Sequence, residues 1–583
     1  MMKDSIALKS AAIVFVVSLA VYIMSLPSGP LFGDGLEFVA AAAVGGVPHP
    51  TGYPLITELL GPFSGSYWQA AFACSVFAAL GAACWAILVV KLLQPTVMFL
   101  KPNQQLVFLT LFGLLAPFSA GLWSAATLVE VYGLNALLML AALLILARNP
   151  EGSLCWRQLS VTAVLISLGL ANHLSIIMLI PLFGLRFLES LRLKHTSIKT
   201  VALPIVCFVL PVVILYSLLM MRASASPAIN WGNAEDLQGL QWLIRGGDYK
   251  QTQFLMATPG VPFTVATYLP YAGSIGLLLL SQFGGQLLGV SSSTPLLLSI
   301  IFAILGAAQL LLVIVGFQQL LKRSSVVFWG LLIGIVVLLF VLFTYNIPDI
   351  SDYFLALYCL FTVPLLLGCN LLLSMVIAKF EYTIPEKQHR LVWFAGLLVA
   401  VAFLSNSAVG MRQNSQTATP VISRISEALQ PNALLITHGD YDTYSFWFHQ
   451  LVENKRSDVL VVAANFMRND WYQTMLPLEG QDPHGRYVAV QPASFATLTE
   501  KDQLAMIRHE IILPHLGQVP LYTTDCDPLM VHLLSQEFRL VPAAQLIDEE
   551  EYLNYARQGT LAQAIPTVIY KIEPLATNGN TAP

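Results

Sequence analysis

Apolar residues in this chain come in long unbroken runs rather than in the short alternations of a soluble fold, and the runs recur from Ile6 to Val409. A run beyond about 18 residues is long enough to cross a bilayer as a helix. The pattern predicts eleven crossings, at about 6–26, 68–92, 105–122, 131–147, 159–171, 174–188, 201–221, 295–321, 326–345, 353–377 and 391–409. The fifth and sixth fall short of the roughly 20 residues a span needs, so they are expected to form a bent pair that brings Asn172 and His173 below one membrane surface. After Met411 the pattern changes: charges become frequent and the apolar runs shrink to strand length. Strands are predicted at 433–437, 459–463, 487–490, 519–522 and 567–572, with helices at 422–429 and 443–452 between them. Residues 1–410 therefore read as a transmembrane domain and 411–583 as a small soluble α/β domain.

Lysine and arginine positions orient the chain. Lys91 and Lys101, Arg148 and Arg157, Arg186 with Arg192, Lys194 and Lys199, Lys322 with Arg323, and the 379–390 loop sit in short connections that the positive-inside rule assigns to the cytoplasm. The first loop (28–67), the long loop 222–267, the 345–352 connection and everything after Met411 then face the other side. One apolar segment, 268–290, breaks this parity if it crosses, so it is expected to be an interfacial or re-entrant helix. The chain reads as a multi-pass protein of the inner (cytoplasmic) membrane with its C-terminal domain extracytoplasmic.

Composition supports that class. Hydrophobic residues make up 56% of the chain and charged residues 11%, and the net charge of −4 carries no basic stripe that would suit a nucleic acid. Six of seven cysteines lie in apolar segments and read as small packing residues rather than a disulfide or metal framework. Lys3 and Lys9 precede the first apolar run as in a signal peptide, but no small-x-small cleavage site follows Leu26, which predicts an uncleaved first helix. No P-loop, dinucleotide fingerprint, HExxH or GxSxG motif occurs.

The chemistry gathers on the extracytoplasmic side. Asp34 and Glu37 in Gly33-Asp34-Gly35-Leu36-Glu37 lie three apart, on one face if helical, and Gly33 and Gly35 allow a close approach by ligand. The structural alternative is a helix cap by Asp34 with Glu37 in the first turn. The turn His49-Pro50-Thr51-Gly52-Tyr53-Pro54 presents His49 and Tyr53. Glu130, beside Tyr132, stands at the start of a membrane helix, where the helix dipole alone would favour a carboxylate. Asn172 and His173 are polar groups at membrane depth, which line cavities or satisfy structural hydrogen bonds. Arg222, Trp231, Arg245 and Lys250 in the long loop could hold a sugar face and an anionic phosphate, or form an interfacial aromatic belt. Asp349 and Asp352 could bind an acceptor or cap a helix. His438-Gly439-Asp440 reads as a turn with a helix cap, or as a ligand-binding strand end.

These segments resemble a known family. Gly33-Asp34-Gly35-Leu36-Glu37-Phe38, the 49–55 turn, Val129-Glu130-Val131-Tyr132, Gly169-Leu170-Ala171-Asn172-His173 and Asn230-Trp231-Gly232 look like a bacterial membrane family whose animal relative is a transmembrane protein O-mannosyltransferase. That family is similar to the GT-C glycosyltransferases. The resemblance implies a polytopic GT-C-like helical fold, a polyprenyl-phosphate sugar (mannose among the candidates) as donor, a protein hydroxyl or a glycan as acceptor, and Asp34 as general base with Glu37 as second acid. His49, Tyr53, Glu130, Tyr132, Asn172, His173, Trp231, Arg222, Arg245 and Asp349 would bind substrate. Here the motif reads Gly-Asp-Gly-Leu-Glu where many relatives have Asp-Ser-Gly-Glu. A divalent ion could assist, although no ligand set demands one. The other classes to weigh are a secondary transporter or flippase of a polar or lipid-linked solute, which would show paired repeats, and a non-catalytic scaffold, which would give no reason for the clustered acids.

Overall fold

The computed structural model describes residues 2–148, 153–193, 198–247, 264–284, 296–345, 347, 350–412, 417–477, 481–487, 500–557 and 565–575. Its helices up to Leu451, in chain order, are α1 Met2–Met24, α2 Asp34–Val44, α3 Pro54–Leu60, α4 Tyr67–Leu93, α5 Pro102–Gly113, α6 Ala120–Thr127, α7 Tyr132–Leu146, α8 Trp156–Leu170, α9 Ile180–Leu193, α10 Ile198–Ala223, α11 Leu237–Ile244, α12 Val265–Gly284, α13 Leu296–Arg323, α14 Ser325–Thr344, α15 Phe354–Phe380, α16 Gln388–Arg412, α17 Thr419–Ala428 and α18 Asp440–Leu451. Among the described residues eight helical stretches are long and apolar enough to span a membrane, and α7 and α8 are shorter apolar helices beside them. The protein is thus a polytopic helical membrane protein.

Helix α4 is the hub of the bundle. It packs against α1, α5, α6, α7 and α15, and its buried face carries Ala70, Ala71, Ala78, Ala79, Ala82 and Ala86. Small side chains let backbones approach closely where lipid offers no hydrophobic drive for helices to associate. The α13 and α15 crossing uses the same device. A Cβ on Gly316 would lie 1.7 Å from the Pro364 carbonyl oxygen, and one on Gly368 would lie 2.0 Å from that of Leu312.

Two stretches depart from the pattern. The expected crossing at 105–122 is broken into α5 and α6, because Pro117 can neither donate to a helical ladder nor fit the preceding turn, and its freed carbonyl accepts the Tyr22 hydroxyl at 3.0 Å. The 268–290 segment begins in α12, which lies along α13 and against α14. Its Tyr271 donates to the Tyr345 carbonyl at 2.7 Å. Residues 285–290 lie outside the described part.

The soluble domain is a five-stranded sheet in the order β2-β1-β3-β5-β4, with β1 Leu434–Thr437, β2 Leu460–Ala463, β3 Leu521–Thr524, β4 Phe538–Gln545 and β5 Val568–Pro574. The first three strands are parallel, and β5 and β4 are antiparallel additions. Strand β4 was not expected. It is an edge strand, half exposed, with Pro542 beside a bulge, and such a strand needs no apolar run. The expected strand at 487–490 opens on Tyr487, which is irregular, its N–H donating to His515 Nε2 at 3.1 Å; residues 488–490 lie outside the described part.

This domain sits on the end of the bundle that carries α2. Helix α18 packs on α2, Tyr441 stacks on Phe32 at 5.4 Å, and the Ala418 N–H donates to the Pro30 carbonyl at 2.7 Å. Trp231 of the long loop lies against Trp471 at 4.6 Å and Phe466 at 4.8 Å.

Candidate active site

Asp34 is the first residue of α2, and it is not the cap. Gly33 occupies the cap position at φ 118°, a backbone conformation that glycine adopts without a steric penalty. The second glycine, Gly35, approaches protein rather than an open site. A Cβ there would meet the Val129 carbonyl oxygen at 2.9 Å and the Tyr67 hydroxyl at 3.3 Å. The missing side chain lets α2 lie against the 128–130 segment, which brings Asp34 and Glu130 to one cavity.

His49 connects the two acids of the motif. Its Nδ1 is hydrogen-bonded to Glu37 Oε2, its own backbone N–H donates to Glu37 Oε1 at 3.1 Å, and its Nε2 lies 3.5 Å from Asp34 Oδ2. Glu37 is fully buried, His49 nearly so, whereas the Asp34 side chain is 37% exposed. Burial by itself would lower the His49 pKa, but the charges of Glu37 and Asp34 outweigh it and raise the pKa to about 10. At neutral pH the ring is an imidazolium held between two carboxylates, with only the outer one reaching solvent.

That outer carboxylate opens into a cavity of about 820 Å³. His49, Tyr53, Glu130, Tyr132, His173, Arg245, Asp352 and Tyr353 also line it. Aromatic rings form its floor: Tyr53 stacks over His173 at 6.4 Å, and Tyr132 and Tyr353 approach the same imidazole at 5.2 and 4.9 Å. His173 is fixed from below, its Nδ1 paired with Ser175 Oγ at 2.8 Å, which in turn accepts from Asn135 Nδ2 at 2.9 Å. Leu174, Ile177, Met178, Leu338 and Val341 make one wall apolar, and Leu174 and Ile177 are partly exposed.

Other expected site residues lie elsewhere. Asn172 is buried and its side chain donates to the Val131 carbonyl at 3.0 Å, so it braces the start of α7 outside the cavity lining. Trp231 is buried under the soluble domain, its ring 6.3 Å from that of His49. Arg222 is paired with Glu58 at 2.7 Å, away from the cavity lining. Asp349, like Lys250, lies outside the described residues. Among the described residues no three His, Cys, Asp or Glu side chains are disposed to hold a metal ion.

The soluble domain adds two residues to the lining, Asp440 and Tyr441. The turn before α18 is capped by Asp442, whose carboxylate accepts from the His438 and Gly439 N–H groups at 3.0 and 2.9 Å and from Thr524 Oγ1 at 2.5 Å. The spacing Gly439-x-x-Asp442 is the sequence signal that the cap has an owner. It leaves Asp440 to face the cavity.

Comparison with known proteins agrees with the motif. The model described as "Protein O-mannosyl-transferase TMEM260 N-terminal domain" matches residues 34–196, and "TMEM260-associated domain 2" matches residues 421–509. The protein O-mannosyl-transferase TMEM260 of Mus musculus is 24% identical to this chain over 80% of it, and the chain spans 64% of the mouse protein's length. Among solved structures, the oligosaccharyltransferase AglB of Archaeoglobus fulgidus, in complex with an inhibitory peptide and a dolichol-phosphate, has a TM-score of 0.44 at 13% identity, covering 88% of this chain and 69% of its own. ArnT of Cupriavidus metallidurans bound to undecaprenyl phosphate has a TM-score of 0.44 at 14% identity, covering 98% and 99%. The two TMEM260 models, one on the Asp34 half of the bundle and one on the soluble domain, together with the mouse sequence, make this chain a relative of the animal TMEM260 proteins.

Proposed function

We propose that this protein is a membrane glycosyltransferase of the GT-C type that moves a sugar from a polyprenyl-phosphate donor to a hydroxyl of a protein or glycan on the extracytoplasmic face, with Asp34 as the general base. The observation that carries the reading is the setting of Asp34: a partly exposed carboxylate on the wall of an 820 Å³ cavity, backed by a histidine that a fully buried glutamate holds in place. The relationship to a protein O-mannosyl-transferase supports a hydroxyl acceptor and makes mannose the first sugar to test.

In this mechanism Asp34 takes the proton of the acceptor hydroxyl. The hydroxyl oxygen forms a bond to the anomeric carbon, the bond from that carbon to the phosphate oxygen breaks, and its electron pair leaves with the lipid phosphate. A positioned base of this kind accelerates transfer by about 10²–10⁴-fold. The Glu37-His49 pair orients Asp34 and places a fixed positive charge behind it. Arg245, on the cavity lining, is the cation assigned to the departing phosphate. The apolar wall of Leu174, Ile177, Leu338 and Val341 suits the lipid, and the tyrosines around His173 suit the faces of a sugar ring. The test is glycopeptide mass spectrometry of cells carrying Asp34→Asn beside the parent. Loss of a set of sugar-modified envelope peptides is expected; an unchanged set with normal amounts of the variant in the membrane would refute the assignment.

A further inference from the structure

The cavity is not made by the membrane domain alone. Asp440 and Tyr441, from the first turn of α18, form part of its lining together with Asp34, Glu130 and His49. Several contacts hold α18 there: the packing of α18 on α2, the Phe32 and Tyr441 stack, the bridge between Leu31 and Thr417, and the tryptophan pair at Trp231 and Trp471. Asp440 has no duty in capping the helix, since Asp442 receives both N–H groups of the turn. Asp440 thus presents to the cavity a carboxyl that the helix cap does not use.

We propose, resting on the transferase reading, that Asp440 is an acceptor-binding residue of the transfer site, so that the soluble domain supplies part of the active site rather than covering it. The acceptor comes from water, and Asp440 and Tyr441 bring the soluble domain to the cavity lining, apart from the apolar wall of Leu174, Ile177, Leu338 and Val341 that suits the lipid donor. The hydrogen-bond partner of Asp440 is an amide carbonyl of the acceptor beside the reacting hydroxyl, a group that accepts a hydrogen bond and has no proton to give.

The charge state of Asp440 supports this role. Removal from water and the nearby charges of Asp34 and Glu37 raise its pKa to about 7, while His49 opposes and Asp442 adds to the rise. Near pH 6 the carboxyl is neutral and donates a hydrogen bond. Above pH 7 it ionises and adds a negative charge beside the carboxyl groups of Asp34 and Glu130 on the same lining. Acceptor binding should weaken across that interval.

The experiment uses the full chain in membranes of producing cells, which hold their own donor lipid. The acceptor probe is a synthetic peptide carrying a site found sugar-modified in the parent cells. Asp440→Ala is expected to raise the acceptor KM about tenfold with kcat within twofold of the parent. Asp440→Asn, which keeps a donor at every pH, is expected to hold its KM constant from pH 6 to 8 while the parent's rises; a merely structural Asp440 would not produce that difference. Unchanged KM and pH profile in both variants, with Asp34→Asn inactive, would overturn the role of Asp440 and leave the transferase reading standing. Peptide modification that persists in Asp34→Asn would overturn both.

Discussion

His49 keeps its place and its charge because each ring nitrogen faces a carboxylate, and the two carboxylates differ in kind. Glu37 is sealed in protein and Asp34 meets the cavity. Glu37→Gln removes the negative charge that does most to hold the imidazolium. Breaking one side of a buried ion pair costs about 3–5 kcal/mol, and transfer is expected to fall at least about tenfold. The pH dependence should change as well. In the parent, with the His49 pKa raised to about 10, the ring stays charged from pH 7 to 9 and activity should be flat on its account. In the variant the pKa moves back toward the ordinary histidine value of roughly 6.5, so activity should decline as pH rises over that range. Stability follows the same sign. A raised histidine pKa contributes fully below about pH 6.5 and its contribution is lost as pH rises through about 10, which thermal unfolding of parent and variant at pH 7 and 10 measures.

At the scale of elements, the site depends on how closely α2 lies to the start of α7, and Gly35 sets that distance. Gly35→Val drives a side chain into the Val129 backbone and Tyr67, an overpacking that costs about 1–3 kcal/mol and should lower both the unfolding temperature and transfer. Gly61→Ala, at a glycine with open space around it and an ordinary helical backbone, is the control and should leave both unchanged. The same elements show what the sequence made legible. Spacing identified Asp34 and Glu37 as a pair, and the cost of polar groups near the membrane marked His173, because those arguments concern one residue and its solvent, whereas Glu130 stood out only as a carboxylate at the start of a helix. Asn172, Arg222 and Trp231 share the same polarity and position but turn to Val131, Glu58 and Trp471. Composition reports that such a group needs a partner and is silent on whether the partner is protein or ligand. Gly35 is the clearest instance: the sequence reads it as room for a ligand, while what approaches it is the Val129 backbone, almost a hundred residues away.

At the scale of the whole molecule, the cavity depends on the soluble domain staying docked. The sequence divided the chain at Met411 from a change of pattern, but a pattern carries no record of which faces of two domains meet, so the share of Asp440 and Tyr441 in the cavity became visible only in three dimensions. Trp231 is the largest side chain buried at that junction. Trp231→Ala should loosen the domain by an amount in the range for burying a tryptophan, about 3–5 kcal/mol. Limited proteolysis should then release a fragment of the soluble domain that stays protected in the parent, with transfer reduced although Asp34 is intact. The most direct test of the account remains the base itself: initial rates of sugar transfer to an acceptor peptide in membranes holding equal amounts of parent or Asp34→Asn protein. The account predicts a rate lower by about 10²–10⁴-fold in the variant; a rate within a few-fold of the parent would contradict it.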